Sequence, residues 1–331
     1  MTMERLFGWR HAFDHPVSVW VVVGAAGALG LSALVIIVLT LTGRIRPESR
    51  RDLLARTTSW AILAPIMIVP VLLGAAWTIA GVTILSLLCY REYARATGLF
   101  REKIVSLVVV LGILAVDFAV LDHWYGLFVA LFPLSVTVLC TAAILPDRPK
   151  GYVQRVALGV FAFMLFGCFL GHLGYMANDT AYRPLVFLVV VCVEMNDVFA
   201  YCSGKLIGGR RITPNTSPNK SLGGYLGALV LTTGLVYVMG HAVFAGTPVD
   251  TPGRLVLLGA LVSVSGQFGD LLLSSIKRDL GLKDIGTLLP GMGGLLDRFD
   301  SLLLAVPVVF HYVGYYNGIG LDEASRIITG G

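Results

Sequence analysis

Hydrophobic positions in this chain neither alternate with polar ones nor recur at the period of a half-buried helix; they come in long unbroken runs. Val17–Thr42 passes 26 residues without a charge. Further apolar stretches fall at 59–74, 76–90, 104–121, 124–145, 153–177, 184–204, 222–246, 253–276 and 301–318. A helix needs about 20 apolar residues to cross a bilayer, so these stretches predict about ten spans. Strands of a membrane barrel would alternate apolar and polar residues instead. The apolar core of a secretory signal runs to only about 7–15 residues, so 17–42 is expected to be a retained span. The pair at 59–90 carries Pro65, Pro70 and Gly74 and reads either as one kinked helix or as a tight hairpin.

The polar linkers settle that choice. Residues 43–58 hold Arg44, Arg46, Arg50, Arg51 and Arg56, and residues 91–103 hold Arg91, Arg95, Arg101 and Lys103. Cytoplasmic linkers are rich in Lys and Arg, so both are expected on the same side. An even number of crossings must then separate them, so 59–90 should be two passes or a re-entrant hairpin. Later linkers alternate. Basic ones at 146–155, 205–220 and 277–300 are separated by 122–123, 178–183 and 247–254, which carry at most one Arg each. On this count both chain ends fall on the outer side.

Composition agrees with the pattern. Of 331 residues 56% are hydrophobic and 14% charged, where a soluble domain carries roughly 25% charged residues. Mean hydropathy is +0.81. A soluble globular enzyme, a disordered chain and a nucleic-acid-binding protein are excluded. The expected class is an all-α polytopic integral membrane protein with about nine to ten transmembrane helices. Residues 1–150 supply the N-terminal helices and 151–331 a catalytic transmembrane domain with cytoplasmic loops at 205–221 and 277–300. The net charge of +5 reports topology rather than a polyanionic partner. Cys89, Cys140, Cys168, Cys192 and Cys202 sit in apolar stretches with no CxxC pair, so they read as packing residues. His11, His123, His172, His241 and His311 are isolated and read as interfacial or packing residues.

Chemistry concentrates in the two long loops and the helices that lead into them. In 277–300, Asp297 and Asp300 are three apart; if a helix starts near Leu295, both carboxylates share a face. Two carboxylates with oxygen ligands suit Mg²⁺, which takes one or two of them plus substrate phosphates. Gly293-Gly294 frees backbone N–H groups to face an anion, and Lys277, Arg278, Lys283 and Arg298 offer cations for phosphate. Asp270 lies inside an apolar segment, where an acid is expensive and a functional candidate. It shares a helical stripe with Ser274 and Lys277. An Asp270–Lys277 or Asp270–Arg278 ion pair is the purely structural reading of that stripe. In the other loop region Asp197, Tyr201 and Lys205 recur every four residues, with Glu194 one turn earlier. That stripe reads as the wall of a wet cavity, or as a polar network within the bundle. Ser217-Pro218-Asn219-Lys220-Ser221 followed by Gly223-Gly224 suggests an anion cradle at a helix start. It is not a Walker A loop.

At these loops the chain resembles the CDP-diacylglycerol synthase (phosphatidate cytidylyltransferase) family. Its signature matches from Ser274 to Asp300 through Ser274, Lys277-Arg278, Lys283-Asp284, Gly286, Pro290, Gly293-Gly294, Asp297-Arg298 and Asp300. The upstream element matches at Asp197, Tyr201, Gly204-Lys205 and Ser217–Ser221. Two positions depart: the family His is Met292, and an acidic or amide position is Gly223. A thioether carries no proton.

The resemblance implies that CTP and phosphatidate give CDP-diacylglycerol and pyrophosphate. Asp270, Asp297 and Asp300 are then expected to hold Mg²⁺, with Asp197 and Asp284 near a second cation. Ser217, Asn219 and Lys220 would cradle phosphate, Lys277, Arg278 and Arg298 would bind the triphosphate or the lipid phosphate, and Lys205 and Lys283 would line the nucleotide site. Expected partners are CTP, phosphatidate and the bilayer, with no nucleic acid and a homodimer as a compatible assembly. A bacterial inner membrane with the site facing the cytoplasm is the expected location. The alternatives are a CTP-dependent polyprenol or dolichol kinase, a cytidylyltransferase for another lipid phosphate, and a transporter built on Glu194, Asp197 and Asp270. No internal repeat supports the last.

Overall fold

The computed structural model describes residues 2–319 and 326–330. The apolar runs become α2 (Pro16–Leu41), α3 (Pro47–Leu73), α4 (Ala75–Thr97), α5 (Lys103–Leu121) and α6 (Tyr125–Ala142), after a short α1 (Thr2–Phe7). Then come α7 (Tyr152–Ala162), α8 (Leu170–Met176), α9 (Tyr182–Leu206), α10 (Leu222–Val243), α11 (Pro252–Asp279) and α12 (Leu296–Asn317). A π-helical stretch, Phe163–Phe169, joins α7 to α8 into a single span. Among the described residues nine spans are long and apolar enough to cross a membrane. The remaining long helix is α4, whose apolar run ends at Arg91 and Glu92. The chain is an all-α polytopic integral membrane protein.

The uncertain pair at 59–90 is two helices, α3 and α4, broken at Gly74. Gly74 has φ +150, and a Cβ there would stand 2.2 Å from the carbonyl oxygen of Leu6. Only glycine lets α1 press against this turn. Helix α3 starts twelve residues before the apolar run at 59, so Arg50, Arg51 and Arg56 lie on a helical extension rather than in a loop. Pro47 supplies its first-turn start.

Helices α9, α10, α11 and α12 pack closely on one another. Between apolar helices in lipid, close packing depends on small residues at the crossing. Gly259 of α11 is such a point: a Cβ there would lie 2.6 Å from Cα of Thr233 in α10. Gly269 is another, at 2.5 Å from the carbonyl oxygen of Asp300 in α12. By contrast α2 lies at the periphery, with 11% of its apolar window buried.

The loop 205–221 is more ordered than its Gly, Pro and Ser content suggests. It forms an antiparallel hairpin of β1 (Arg211–Thr213) and β2 (Ser217–Ser221). Arg211 Nη1 donates to the carbonyl of Asn219 at 2.8 Å. The hairpin leads straight into α10, where Ser221 Oγ accepts from the Gly224 amide as an N-cap.

Candidate functional site

The first turns of α12 gather most of the predicted chemistry. Asp297 is almost wholly covered, with 1% of its side chain exposed. Its Oδ1 accepts from Lys277 Nζ at 2.8 Å. Its Oδ2 accepts from the amides of Ile285 at 2.9 Å and Gly294 at 3.0 Å. Asp297 thereby ties the end of α11 and both sides of the 284–295 loop to α12. Gly293 has φ +89, and a Cβ there would meet Asp284 Oδ1 and Asp297 Oδ2, each at 3.3 Å. Glycine brings these two carboxylates together.

A second carboxylate holds the same loop, and sequence reasoning missed it. Glu92 reaches over from α4. Its Oε1 accepts from the Leu295 amide at 3.0 Å and its Oε2 from the Leu296 amide at 2.8 Å. These N–H groups open α12, so Glu92 acts as a helix N-cap supplied from 203 residues away. Its carboxylate sits between Gly286 and Gly294, where added Cβ atoms would stand 2.4 and 2.5 Å from its oxygens. The signal in the sequence is slight: Glu92 is one of two acids, with Glu102, in a linker of four bases.

One turn deeper, α9, α11, β2 and α12 bring together Asp197, Asp270 and Asp300. Lys220 Nζ lies 2.6 Å from Asp270 Oδ2, and Ser274 Oγ donates to Asp270 Oδ1 at 3.2 Å. Ser301 Oγ donates to Asp197 Oδ2 at 3.0 Å. Asp300 Oδ1 accepts from the Ser301 amide at 2.8 Å. The three acids are electrostatic neighbours of one another, with Lys220, Lys277 and Arg298 among them. Arg298 also neighbours Glu194, and its buried Nε has no hydrogen-bond partner. Behind this cluster Asn196 Oδ1 accepts from Thr232 Oγ1 at 2.9 Å and Ser263 Oγ at 2.7 Å, which locks α9 to α10 and α11.

The expected Asp270–Ser274–Lys277 stripe is split. Asp270 takes Ser274 and Lys220, whereas Lys277 turns to Asp297. Neither structural ion pair expected for Asp270, with Lys277 or with Arg278, is present among the described contacts. Arg278 is exposed and donates to the carbonyls of Thr216 and Leu282, so it clasps the hairpin to the end of α11. Lys205 lies 4.4 Å over the Tyr201 ring, and Tyr201 faces outward. Asn219, Lys283 and Asp284 are exposed at the rim and Ser217 is half-buried there.

Gly223, one of the two departures noted above, has a steric reason. Its amide donates to the Gly208 carbonyl at 2.9 Å, and a Cβ would stand 2.5 Å from that oxygen and 2.8 Å from Ile207 Cγ2. Here the chain closes so tightly that no side chain fits. Met292 is half-buried in the turn formed by Leu289 and Gly293.

Five carboxyl groups (Glu194, Asp197, Asp270, Asp297, Asp300) thus meet three cations (Lys220, Lys277, Arg298). An excess of oxygen donors at one place fits a hard divalent cation. Among the described residues no three His, Cys, Asp or Glu side chains stand close enough to hold an ion by themselves.

Comparison with known proteins supplies a family. Residues 54–316 match the model of the cytidylyltransferase family. A phosphatidate cytidylyltransferase of Bacillus subtilis (strain 168) is 30% identical over 226 residues, which is 66% of this chain and 82% of that protein. One from Staphylococcus haemolyticus (strain JCSC1435) is 29% identical over 259 residues, 76% of this chain and 96% of that protein. YnbB of Escherichia coli (strain K12), an uncharacterized protein, is 31% identical over 265 residues, 78% of this chain and 86% of its own length.

Proposed function

This chain belongs to the cytidylyltransferase family and is a membrane-embedded nucleotidyltransferase; on that premise we propose that its acceptor is phosphatidate and its products are CDP-diacylglycerol and pyrophosphate. The observation that carries the reading is the placement of the acid–cation cluster. It lies within apolar spans α9 and α11 and at the start of α12, where an acceptor anchored in the bilayer reaches it directly.

In this reaction a phosphatidate oxygen attacks the α-phosphorus of CTP and the bond to pyrophosphate breaks. The attacking phosphate is already anionic at neutral pH, so no strong general base is needed. The barrier lies in bringing two anions together and in the charge that develops on the leaving group. Lys220 and Lys277 are held by Asp270 and Asp297 at 2.6 and 2.8 Å, which keeps two ammonium groups in place for phosphate oxygens. Arg298, with its unpartnered Nε, supplies a planar donor set. Arg278, Ser217 and Asn219 stand at the rim where a triphosphate enters. Lys205 and Lys283 add positive charge around that entrance.

A bound Mg²⁺ would supply charge neutralisation on the α-phosphate and the leaving pyrophosphate. Asp270, Asp297 and Asp300 are the carboxylates proposed to hold it, with Asp197 beside them. Both Asp297 oxygens are engaged by Lys277 and two amides, so Asp297 would add negative charge beside the ion while keeping Lys277 in place. Asp284 beside it is the further oxygen donor for a second cation. The Arg-rich linkers argue for a site facing the cytoplasm of a bacterial inner membrane.

The test is a turnover assay on detergent-purified protein with phosphatidate, labelled CTP and Mg²⁺. Labelled CDP-diacylglycerol is expected from the wild type, not from Asp270→Asn, and not after chelation until Mg²⁺ is returned. Product formation would also show that Met292 replaces a protonatable side chain without loss of the reaction. Folded protein that makes no product from phosphatidate but turns over a polyprenol or another lipid phosphate would overturn the assignment.

A further inference from the structure

A long apolar groove of about 1040 Å³ runs along the membrane between α2 and the body formed by α3, α4, α9 and α12. That volume is at the upper end of the roughly 300–1,000 Å³ of ordinary ligand pockets. Along α3 its lining extends from Leu53 to Val71, or about 27 Å at a helical rise of ~1.5 Å per residue. The hydrocarbon of one leaflet is about 15 Å deep, half of a ~30 Å bilayer core. The groove is therefore long enough for a complete acyl chain.

The two ends of the groove differ in chemistry. Toward the outer side it is walled by Trp20, Val71 and Gly81. At the inner end it reaches Arg56, Thr57, Glu194, Leu295 and Phe299. Glu194 and Phe299 stand one helical turn or less from Asp197, Arg298 and Asp300, so the groove ends against the acid–cation cluster. Arg56 belongs to the basic segment with Arg44, Arg46, Arg50 and Arg51. Its guanidinium has an exposed ion pair with Asp52, at 3.0 Å. A groove that is apolar along its length and ends at Arg56 and the charged cluster fits a lipid whose chains lie in the groove and whose polar headgroup lies at that end.

Helix α2 forms one wall of the groove. The family match begins at residue 54, so α2 lies outside it. The middle of its groove face carries the small side chains Gly24, Ala25 and Ala28, with Trp20, Val21 and Leu29 on either side. No atom lies within 4 Å of where a Cβ would stand on Gly24.

We propose that this groove is the acyl-chain site of the lipid-phosphate substrate, and that α2 sets how long and how bulky a chain it accepts. The proposal rests on the function argued above. Headgroup phosphate sits near Arg56 and the α12 cluster, while the chains lie against α2, α3 and α9.

The test compares two substitutions on α2. Gly24 lines the groove and Gly27 does not, yet both have open space around a built Cβ. Gly24→Phe is expected to lower kcat/KM for dioleoyl phosphatidate about tenfold, the scale of a few misfitted methylenes, and to leave dioctanoyl phosphatidate unchanged. Gly27→Phe should alter neither. A second arm needs no turnover. Phosphatidate carrying a diazirine near the end of one chain is photolysed with the full-length protein, and the labelled peptides are mapped. Labelling within 20–32 and 187–198 is expected, displaced by excess phosphatidate but not by phosphatidylcholine, and lost in Gly24→Phe. Label spread over the outward faces of α5 and α6, or displaced equally by both lipids, would show annular lipid only and overturn the proposal. Groove labelling without cytidylyl transfer would refute the function and keep the site. Cytidylyl transfer with chain preference unmoved by Gly24→Phe would do the reverse.

Discussion

Glu92→Ala removes a side chain that touches neither nucleotide nor lipid in the proposed reaction, yet it should be among the most damaging changes in the protein. The wild-type carboxylate accepts two backbone N–H groups at 3.0 and 2.8 Å. Hydrogen bonds to a charged group contribute about 1.5–3 kcal/mol each, and leaving buried N–H groups unpaired costs a similar amount. A negative charge at a helix N-terminus adds up to ~2 kcal/mol in partly buried geometry. These contributions overlap, so a loss of about 3–5 kcal/mol in the order of segment 284–296 is the reasonable sum. At 1.4 kcal/mol per factor of ten, the ordered segment becomes at least about a hundredfold less populated relative to open forms. Because that segment carries the amides that fix Asp297, turnover should fall with it. Glu92→Gln keeps one acceptor and turns an NH₂ toward the other amide, so it should recover little. The assay pairs turnover with hydrogen exchange at Leu295 and Leu296. Fast exchange at these two amides, with protection of α5 and α9 unchanged, is the expected signature. Wild-type exchange and turnover in Glu92→Ala would refute the reasoning.

Other consequences follow from the same geometry. Lys277→Met leaves Asp297 buried without its counter-ion, and breaking such a pair costs about 3–5 kcal/mol, so both thermal stability in detergent and turnover should drop. Asp270→Asn loosens a single, partly exposed pair with Lys220, so expression and melting temperature should stay near wild type while labelled product disappears. Gly223→Asn restores the residue type expected of the family but places a Cβ 2.5 Å from the Gly208 oxygen; lower stability and lower turnover are expected, measured by the same two assays. On the opposite side Asp122 binds the C-terminal segment, accepting from the amides of Ile328 and Thr329 and from Thr329 Oγ1. Burial acts to raise its pKa, but those hydrogen bonds and Arg326 outweigh it and hold the carboxyl below its ordinary value. Its contribution to stability is therefore complete above the unfolded pKa of about 4 and lost as pH falls through the lower folded value. Proteolysis of the tail should be flat from neutral pH down to about 5 and rise only in stronger acid.

The sequence disclosed the membrane spans because lipid imposes a one-dimensional rule. A backbone in hydrocarbon must bond to itself, so each crossing leaves an apolar run of fixed length. The proline- and glycine-bearing pair at 59–90 is two helices, α3 and α4, of which α3 is long and apolar enough to cross a membrane. Site residues were legible to a lesser depth. Carboxylates and lysines inside or beside apolar runs mark themselves, because burying them without use is expensive. Asp197, Asp270, Asp297 and Asp300 were found that way, and helical spacing placed Asp297 and Asp300 at the start of α12.

Spacing along one helix says nothing about which residue on another helix answers it. The stripe of Asp270, Ser274 and Lys277 is real on α11, but both α12 and the β-hairpin cross it. Lys277 is therefore taken by Asp297 and Asp270 by Lys220. These partners follow from where α12 and the hairpin cross α11, and that crossing is fixed by Gly269, which admits the Asp300 backbone. Glu92 is the clearest case. In the linear chain it is one acid among the bases of a polar linker, and it gains meaning only when α4 brings it to two glycines and two amides more than 190 residues away. The same logic explains why the two glycines around it have no conformational signature of their own. They are small because a carboxylate from elsewhere occupies the space their side chains would fill. Isolated glycines beside a catalytic helix are thus best read as the imprint of an unseen partner, and replacing either Gly286 or Gly294 by Ala should reproduce the Glu92→Ala defect from the opposite side of the contact.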